Sequence, residues 1–351
     1  MTIAARLSLP VLVYPYPRLI HPETDQAEQH MLDWLAGHRL IQHRQVRDAF
    51  VRTGFAGLVG QEYAAADSEG LRLVACFYGW MFVMDDFVTD NAAFGTDLGK
   101  LAAFTAWLRE LFDEPTAPAH FEMGQAVTET MDGTAAEFCH QIAAAGADLF
   151  TALANRATPS QYMRFVAEMS YYFQGMHWEA GHHVAGTMPT PEAYMIGRRM
   201  TSATPAGLAL QDIAAGYEVP ANDYHHPRLR RLRTMTANIN SWSNDIFSYG
   251  KERDSVGAEA LNLPASLIHH HGHTEQSALD ETARRHNNEV TNYLAAEQAV
   301  AHDAGPETIR FLEAMRTMQR GFYDWGLATA RYSVAHHFIN CPTPDATPPP
   351  I

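Results

Sequence analysis

Apolar positions recur along this chain every three to four residues, and almost nowhere at every second one. That spacing lays an apolar stripe along one side of an α-helix. It predicts helices over roughly 24–38, 43–55, 68–89, 95–113, 120–155, 159–183, 190–216, 227–254, 274–302 and 305–337. Strand alternation is absent, so the expected fold class is all-α. Polar, Gly- and Pro-containing breaks fall at "HVAGTMPTPE" (183–192), "YEVPANDYHHPR" (217–228) and "RDSVGAEALNLP" (253–264). No repeat at solenoid spacing is present, and no shift in composition marks an internal boundary. The expected organisation is an irregular strap rich in Pro and Tyr over 1–22, one helical domain over 23–337, and a Pro-rich flexible tail over 338–351. The "HHHGH" run at 269–273 falls in an expected helix–helix loop and reads as solvated rather than functional.

Composition narrows the function. With 351 residues and 46% hydrophobic content, the chain can build a large core. The net charge of −15 argues against a nucleic-acid binder, which needs a basic face. It leaves open an anionic substrate accompanied by metal cations. Cys76, Cys139 and Cys341 are far apart, with no metal-binding or disulfide spacing, which fits a reducing cytoplasm. The opening "MTIAARLSLPVLVYPYP" is broken by Pro10, so neither a signal peptide nor a stable membrane anchor is expected.

Two stretches carry candidate chemistry. "FVMDDFVTD" (82–90) ends an apolar helix with three acids. Asp86 and Asp90 share a face, and Asp85 lies about 100° round from Asp86. Such a cluster repels itself unless cations sit between the carboxylates, and Mg²⁺ is the natural filling. A helix end running into an acidic loop is the plainer alternative. "NSWSNDIFSYGKERD" (240–254) places Asn244, Ser248 and Glu252 four residues apart. Their amide, hydroxyl and carboxylate oxygens form one column on a helix, a set that suits a hard cation. Lys251 and Arg253 flank it. A solvated polar face is the alternative there, against which stand Met235, Ile239, Trp242, Ile246 and Phe247 on the same helix.

Together the stretches resemble the metal-binding motifs of bacterial class I terpene synthases, DDxx(x)D/E and NDxxSxxxE. Here they read "DDFVTD" at 85–90 and "NDIFSYGKE" at 244–252. The resemblance extends to "GRRMTSATP" (197–205), similar to the family's arginine diphosphate sensor and helix break. It extends also to "WGLATARY" (325–332), similar to its terminal Arg-Tyr pair. The implied fold is the family's single-domain α-helical barrel. The resemblance implies three Mg²⁺ ions, with Asp85 bridging two, Asp86 and Asp90 supporting the cluster, and Asn244, Ser248 and Glu252 holding the third. It implies that Arg198, Lys251, Arg331 and Tyr332 donate to a diphosphate. Thr201 and Ser202 would fill the linker and effector positions, Ser202 standing where glycine is commonest. Pro205 gives an independent reason for a break, because it disfavours helical geometry at Thr204.

Tyr78, Met81 and Phe82 share the face of Asp85 and would line the pocket, Phe82 and Trp325 resembling positions that the family fills with aromatics; ordinary core packing is the alternative for each of them. Aromatic faces stabilise a carbocation without offering it a lone pair. The implied reaction is metal-assisted ionisation of an allylic prenyl diphosphate, farnesyl (C15) favoured over geranylgeranyl (C20), followed by cyclisation to a hydrocarbon or alcohol. A homodimer is compatible with the resemblance. One rival is a di-iron carboxylate oxidase, for which "EFCH" (Glu137, His140) and "EAGH" (Glu179, His182) offer Glu-x-x-His pairs. Such pairs are expected by chance in a chain with 19 His. A chain-elongating prenyl synthase is disfavoured, since it carries a second aspartate-rich motif where this chain has NDxxSxxxE.

Overall fold

The computed structural model describes residues 7–90, 94, 97–113, 119–129, 131, 133–257 and 260–342. Its elements are helical apart from two-residue strands, β1 at Leu7–Ser8 and β2 at Phe338–Ile339, which pair in parallel. The helices are α1 Thr24–Gly37, α2 Arg44–Thr53, α3 Phe55–Glu62, α4 Ser68–Asp90, α5 Leu98–Asp113, α6 Ala119–Thr128, α7 Gly133–Arg156 and α8 Pro159–Ala185. They continue as α9 Pro191–Thr201, α10 Thr204–Ala214, α11 Ala221–Tyr224, α12 Pro227–Val256, α13 Leu263–His271, α14 Glu275–Ala301, α15 Pro306–Ala328 and α16 Val334–His337. Helix α3 packs on α4 and α15, α15 on α12, and α10 touches α4, α8, α12 and α15. Helix α1 packs on α4, and α14 on α12.

Several starts follow a cap-then-proline rule. Thr158 and Gln161 form a capping box before α8, with Pro159 as its first residue. Thr190 before Pro191 caps α9 by accepting from the Ala193 N–H, and Asn262 caps α13 just ahead of Pro264. Each cap satisfies a backbone N–H that the first turn leaves orphaned.

The observed elements depart from the sequence expectation where burial is complete or a break is local. Gly54 takes a positive φ of 67° and ends α2, and the unexpected α3 follows at once. Nearly all of α3 is buried, so it has no polar face to reveal its period. The expected 190–216 helix divides at the break, where Ser202 is extended (φ −83°, ψ 125°). Gly175 of α8 presses against that break: a Cβ there would stand 2.5 Å from the Met200 carbonyl carbon. The expected 120–155 helix is two, α6 and α7, and the expected 305–337 helix stops at Ala328. His269, His270 and His271 end α13 rather than lying in a loop, and only Gly272 and His273 follow it.

The strap between Ser8 and Thr24 lies on α14 and α15. The buried Tyr14 hydroxyl is 2.9 Å from His286 Nε2, Val13 N–H donates to Asn287, and Arg320 donates to the Tyr16 carbonyl at 2.9 Å. Through β1 and β2 the strap also holds the segment after α15, which carries Arg331 and Tyr332.

Candidate active site

Helix α4 ends in the acidic stretch. Asp85 Oδ1 accepts a 2.6 Å hydrogen bond from Tyr172 of α8. Burial pushes the Asp85 carboxyl up, opposed by Tyr172 and by the Arg331 and Arg198 charges. Asp86 meets Arg331 in a two-pronged pair, Nη2 to Oδ1 at 2.7 Å and Nη1 to Oδ2 at 3.1 Å. Such a fork is the strong form of a charge-assisted hydrogen bond. Asp90 is the last residue of α4, and its side chain lies outside the described residues.

On α12, Arg198 reaches in from α9. Its Nε donates to Asp245 at 2.9 Å, Nη2 to Asn244 Oδ1 at 2.9 Å, and Nη1 to Thr201 at 3.1 Å. Asn244 in turn donates to the Tyr332 hydroxyl at 2.6 Å. Glu252 accepts from Asn262 at 2.7 Å, and burial pushes its carboxyl up. Ser248 Oγ is buried with no partner at hydrogen-bonding geometry. A buried hydroxyl beside the Glu252 carboxyl, on one column with the Asn244 amide, fits a hard cation. Lys251 stands exposed at the same end of α12. Ser202 is buried, and its hydroxyl accepts from the Thr204 N–H that restarts the helix.

Sequence reasoning gave no role to Asp245 or Tyr172, and named Glu179 only as half of a di-iron pair. Asp245, inside the quoted motif, is buried and accepts from Arg198, Tyr194 and the Leu263 N–H, so it fixes the Arg198 guanidinium. Tyr172 has no local signal at all. Glu179 of α8 joins Asp85, Tyr172 and Thr201 in lining a cleft that is partly open to solvent. Burial raises the Glu179 carboxyl to about 7 despite the Arg198 charge.

Below the acids lies an aromatic wall. Phe82 stacks on Phe55 at 3.9 Å and lies 6.2 Å from Trp325, which packs edge-on against Tyr332 at 5.4 Å. The Arg331 guanidinium sits 5.1 Å from the Phe82 ring centre. Trp325 Nε1 donates to the Thr53 carbonyl, which fixes its ring. Tyr78 and Met81 are buried on the same helix. Of the Glu-x-x-His pairs, His140 lies against Trp107 and His182 near Thr187. No three His, Cys, Asp or Glu side chains converge among the described residues, so neither pair has the partners a di-iron centre needs.

Residues 76–292 match the family model described as terpene synthase family 2, C-terminal metal binding. The chain belongs to that family. This terpene synthase is 27% identical over 330 residues to a germacradien-6-ol synthase of Streptomyces pratensis, across 94% of this chain and 87% of that one. It is 27% identical to the (+)-T-muurolol synthase of Roseiflexus castenholzii, across 93% and 94%. Among solved structures, wild-type cucumene synthase superposes with a TM-score of 0.74 at 25% identity, covering 90% of this chain and 99% of that one. No helix among the described residues is long and apolar enough to cross a membrane.

Proposed function

We propose that this terpene synthase ionises an allylic prenyl diphosphate, farnesyl diphosphate before the C20 homologue, and cyclises the resulting cation. The observation that carries the reading is the convergence of Arg331, Arg198 and Tyr332 on the two motifs, Arg331 on Asp86 and the other two on Asn244. These donors come from remote parts of the chain, and each is held on a residue of the expected ligand sets. Mg²⁺, three ions by the family resemblance, would be held by Asp85, Asp86 and Asp90 on α4 and by Asn244, Ser248 and Glu252 on α12, and would draw charge from the leaving diphosphate.

Arg198, Lys251, Arg331 and Tyr332 then have a second task. The two guanidiniums can turn from their carboxylate and amide partners to phosphate oxygens with the same two-pronged geometry. Tyr332 adds an O–H, and Lys251 a mobile charge at the rim. Asp245 keeps Arg198 aimed inward throughout. Phe82, Trp325, Tyr78 and Met81 form the wall that the hydrocarbon meets, and Ser202, at the position resembling the family's effector, would offer its carbonyl from the helix break. The ring faces favour positive charge and add no nucleophile. The farnesyl preference draws support from the (+)-T-muurolol synthase relative, described as cyclising (2E,6E)-farnesyl diphosphate.

The test is direct incubation of purified protein and Mg²⁺ with C10, C15 and C20 diphosphates, with products identified by mass spectrometry. A cyclic C15 product with release of diphosphate is the expected result. Absence of turnover with all three overturns the proposal.

A further inference from the structure

The first turn of α12 carries charge of the wrong sign for its position. A helix N-terminus is the positive end of the macrodipole and favours acids. The stretch "HHPRLRRLR" (225–233) has four arginines, two histidines and no acid, in a chain of net charge −15. No acidic residue stands in the first turn of this 30-residue helix. Its cap is a histidine, His226 Nδ1 accepting the Arg228 N–H at 3.2 Å. Arg228 and Arg231 are three residues apart, a spacing at which like charges repel.

Packing does not resolve the conflict. Tyr224, Leu229 and Leu232 are buried and turn the apolar side of this segment inward. Arg228, Arg230 and Arg231 are exposed, and none of the three has an ion-pair partner among the described residues. Two acids at this end of the bundle are already paired, Glu168 with Arg233 at 3.3 Å and Glu218 with Arg164 at 3.6 Å. Folding therefore gathers three unpaired guanidiniums on one surface against the preference of the helix end. A local rule broken with no local gain points to a functional surface.

That surface is remote from the reaction. Arg228 lies about 24 Å before Asn244 along α12, at 1.5 Å per residue, so it does not reach a diphosphate at the mouth. Its chemistry narrows the partner. No large apolar side chain is exposed over 221–233, whereas protein interfaces centre on apolar or aromatic anchors. A nucleic acid needs a longer basic face. A layer of lipid phosphates needs only cations of matching geometry at its surface.

We propose that the first turn of α12 docks this protein, reversibly, on an anionic lipid surface. Arg228, Arg230 and Arg231 meet the lipid phosphates, and the membrane supplies the countercharge that the helix end lacks. Acids farther away than the Debye length of about 8 Å at physiological salt oppose docking only weakly. The mouth stays open to solvent at the other end of α12, so docking and substrate entry do not compete. The inference holds whichever substrate the mouth takes.

Flotation of the full-length protein with lipid vesicles is the test. Vesicles of phosphatidylglycerol and phosphatidylcholine should carry wild type, and vesicles of phosphatidylcholine alone should not. Salt at about 0.5 M should release it. Each arginine near an anionic surface contributes roughly fivefold in affinity, so Arg228→Gln, Arg230→Gln and Arg231→Gln together should lose about 100-fold. That triple variant should melt no lower than wild type, because it removes the clash with the helix dipole. The same exchange at the exposed Arg39, Arg44 and Arg52 should leave vesicle binding unchanged. Failure of wild type to bind anionic vesicles overturns the inference, as does equal binding to both vesicle types. These two comparisons decide it even if a variant does not fold. Undiminished binding by the first triple variant, or an equal loss in both, also overturns it.

Discussion

Asp86 and Glu62 stand on two packed helices, α4 and α3, and the fold handles the two carboxyl groups in opposite ways. Asp86 is half-exposed at the mouth and is met by the Arg331 fork. Glu62 is buried at the floor among phenols and keeps its own proton. Countercharge suits a site that must exchange partners, because an arginine can leave a carboxylate for a phosphate. Retained protonation suits a dry site, where an unpaired charge costs far more than a neutral hydrogen bond. The mouth is therefore organised to gather charge, and the floor to exclude it.

The largest effect should come from removing the ligand chemistry of the mouth. Exhaustive chelation should abolish turnover, measured as diphosphate release, and restored Mg²⁺ should recover it. Glu252→Ala should lose about three orders of magnitude or more while circular dichroism keeps its helical signature. Full turnover under either condition would remove the second motif from the reaction.

Next comes Arg198, the proposed diphosphate sensor. Arg198→Lys retains charge but cannot serve Asp245 and a phosphate with a planar fork. A loss of about 10²–10³ in turnover rate is expected, the usual size for one donor to developing charge. Product identity should hold, since the aromatic wall is elsewhere. A wild-type rate, or a switched product at unchanged rate, would place Arg198 outside diphosphate recognition.

The floor predicts a pH effect on stability. Folding raises Glu62 from 4.5 to about 8, so over that interval the folded protein holds a proton that the unfolded chain releases. The stabilisation from this group is whole below about pH 4.5 and is lost as pH rises through about 8. Chemical denaturation of wild type and Glu62→Gln at pH 5 and pH 8.5 should show the variant gaining relative stability, on the order of a few kcal/mol. A constant difference across that range would mean Glu62 is ionised at both ends.

The smallest effect belongs to the wall. Phe82→Leu keeps an apolar surface but removes a ring that stacks on Phe55. Cation–π stabilisation of about 0.5–2 kcal/mol corresponds to a loss of roughly 2- to 30-fold in turnover rate. An unchanged rate and product would assign Phe82 to packing alone.

The sequence by itself determined the parts of this protein that depend on local spacing. Apolar residues every three to four positions forecast an all-α chain, and Thr-Pro boundaries at 158–159 and 190–191 are capped helix starts. The column of Asn244, Ser248 and Glu252 follows from helical geometry, and Pro205 marked the break after Thr201. Only the tertiary structure decided what these columns face. Tyr172 bonds Asp85 across 87 residues, and Arg331 bonds Asp86 across 245, distances at which no periodicity carries information. Helix α3 was illegible because it is apolar nearly all round, and with it went Glu62. In sequence that residue is one acid at a helix end. Only packing against Tyr78, Tyr63 and Gly207 removes it from water, and that burial gives it its proton.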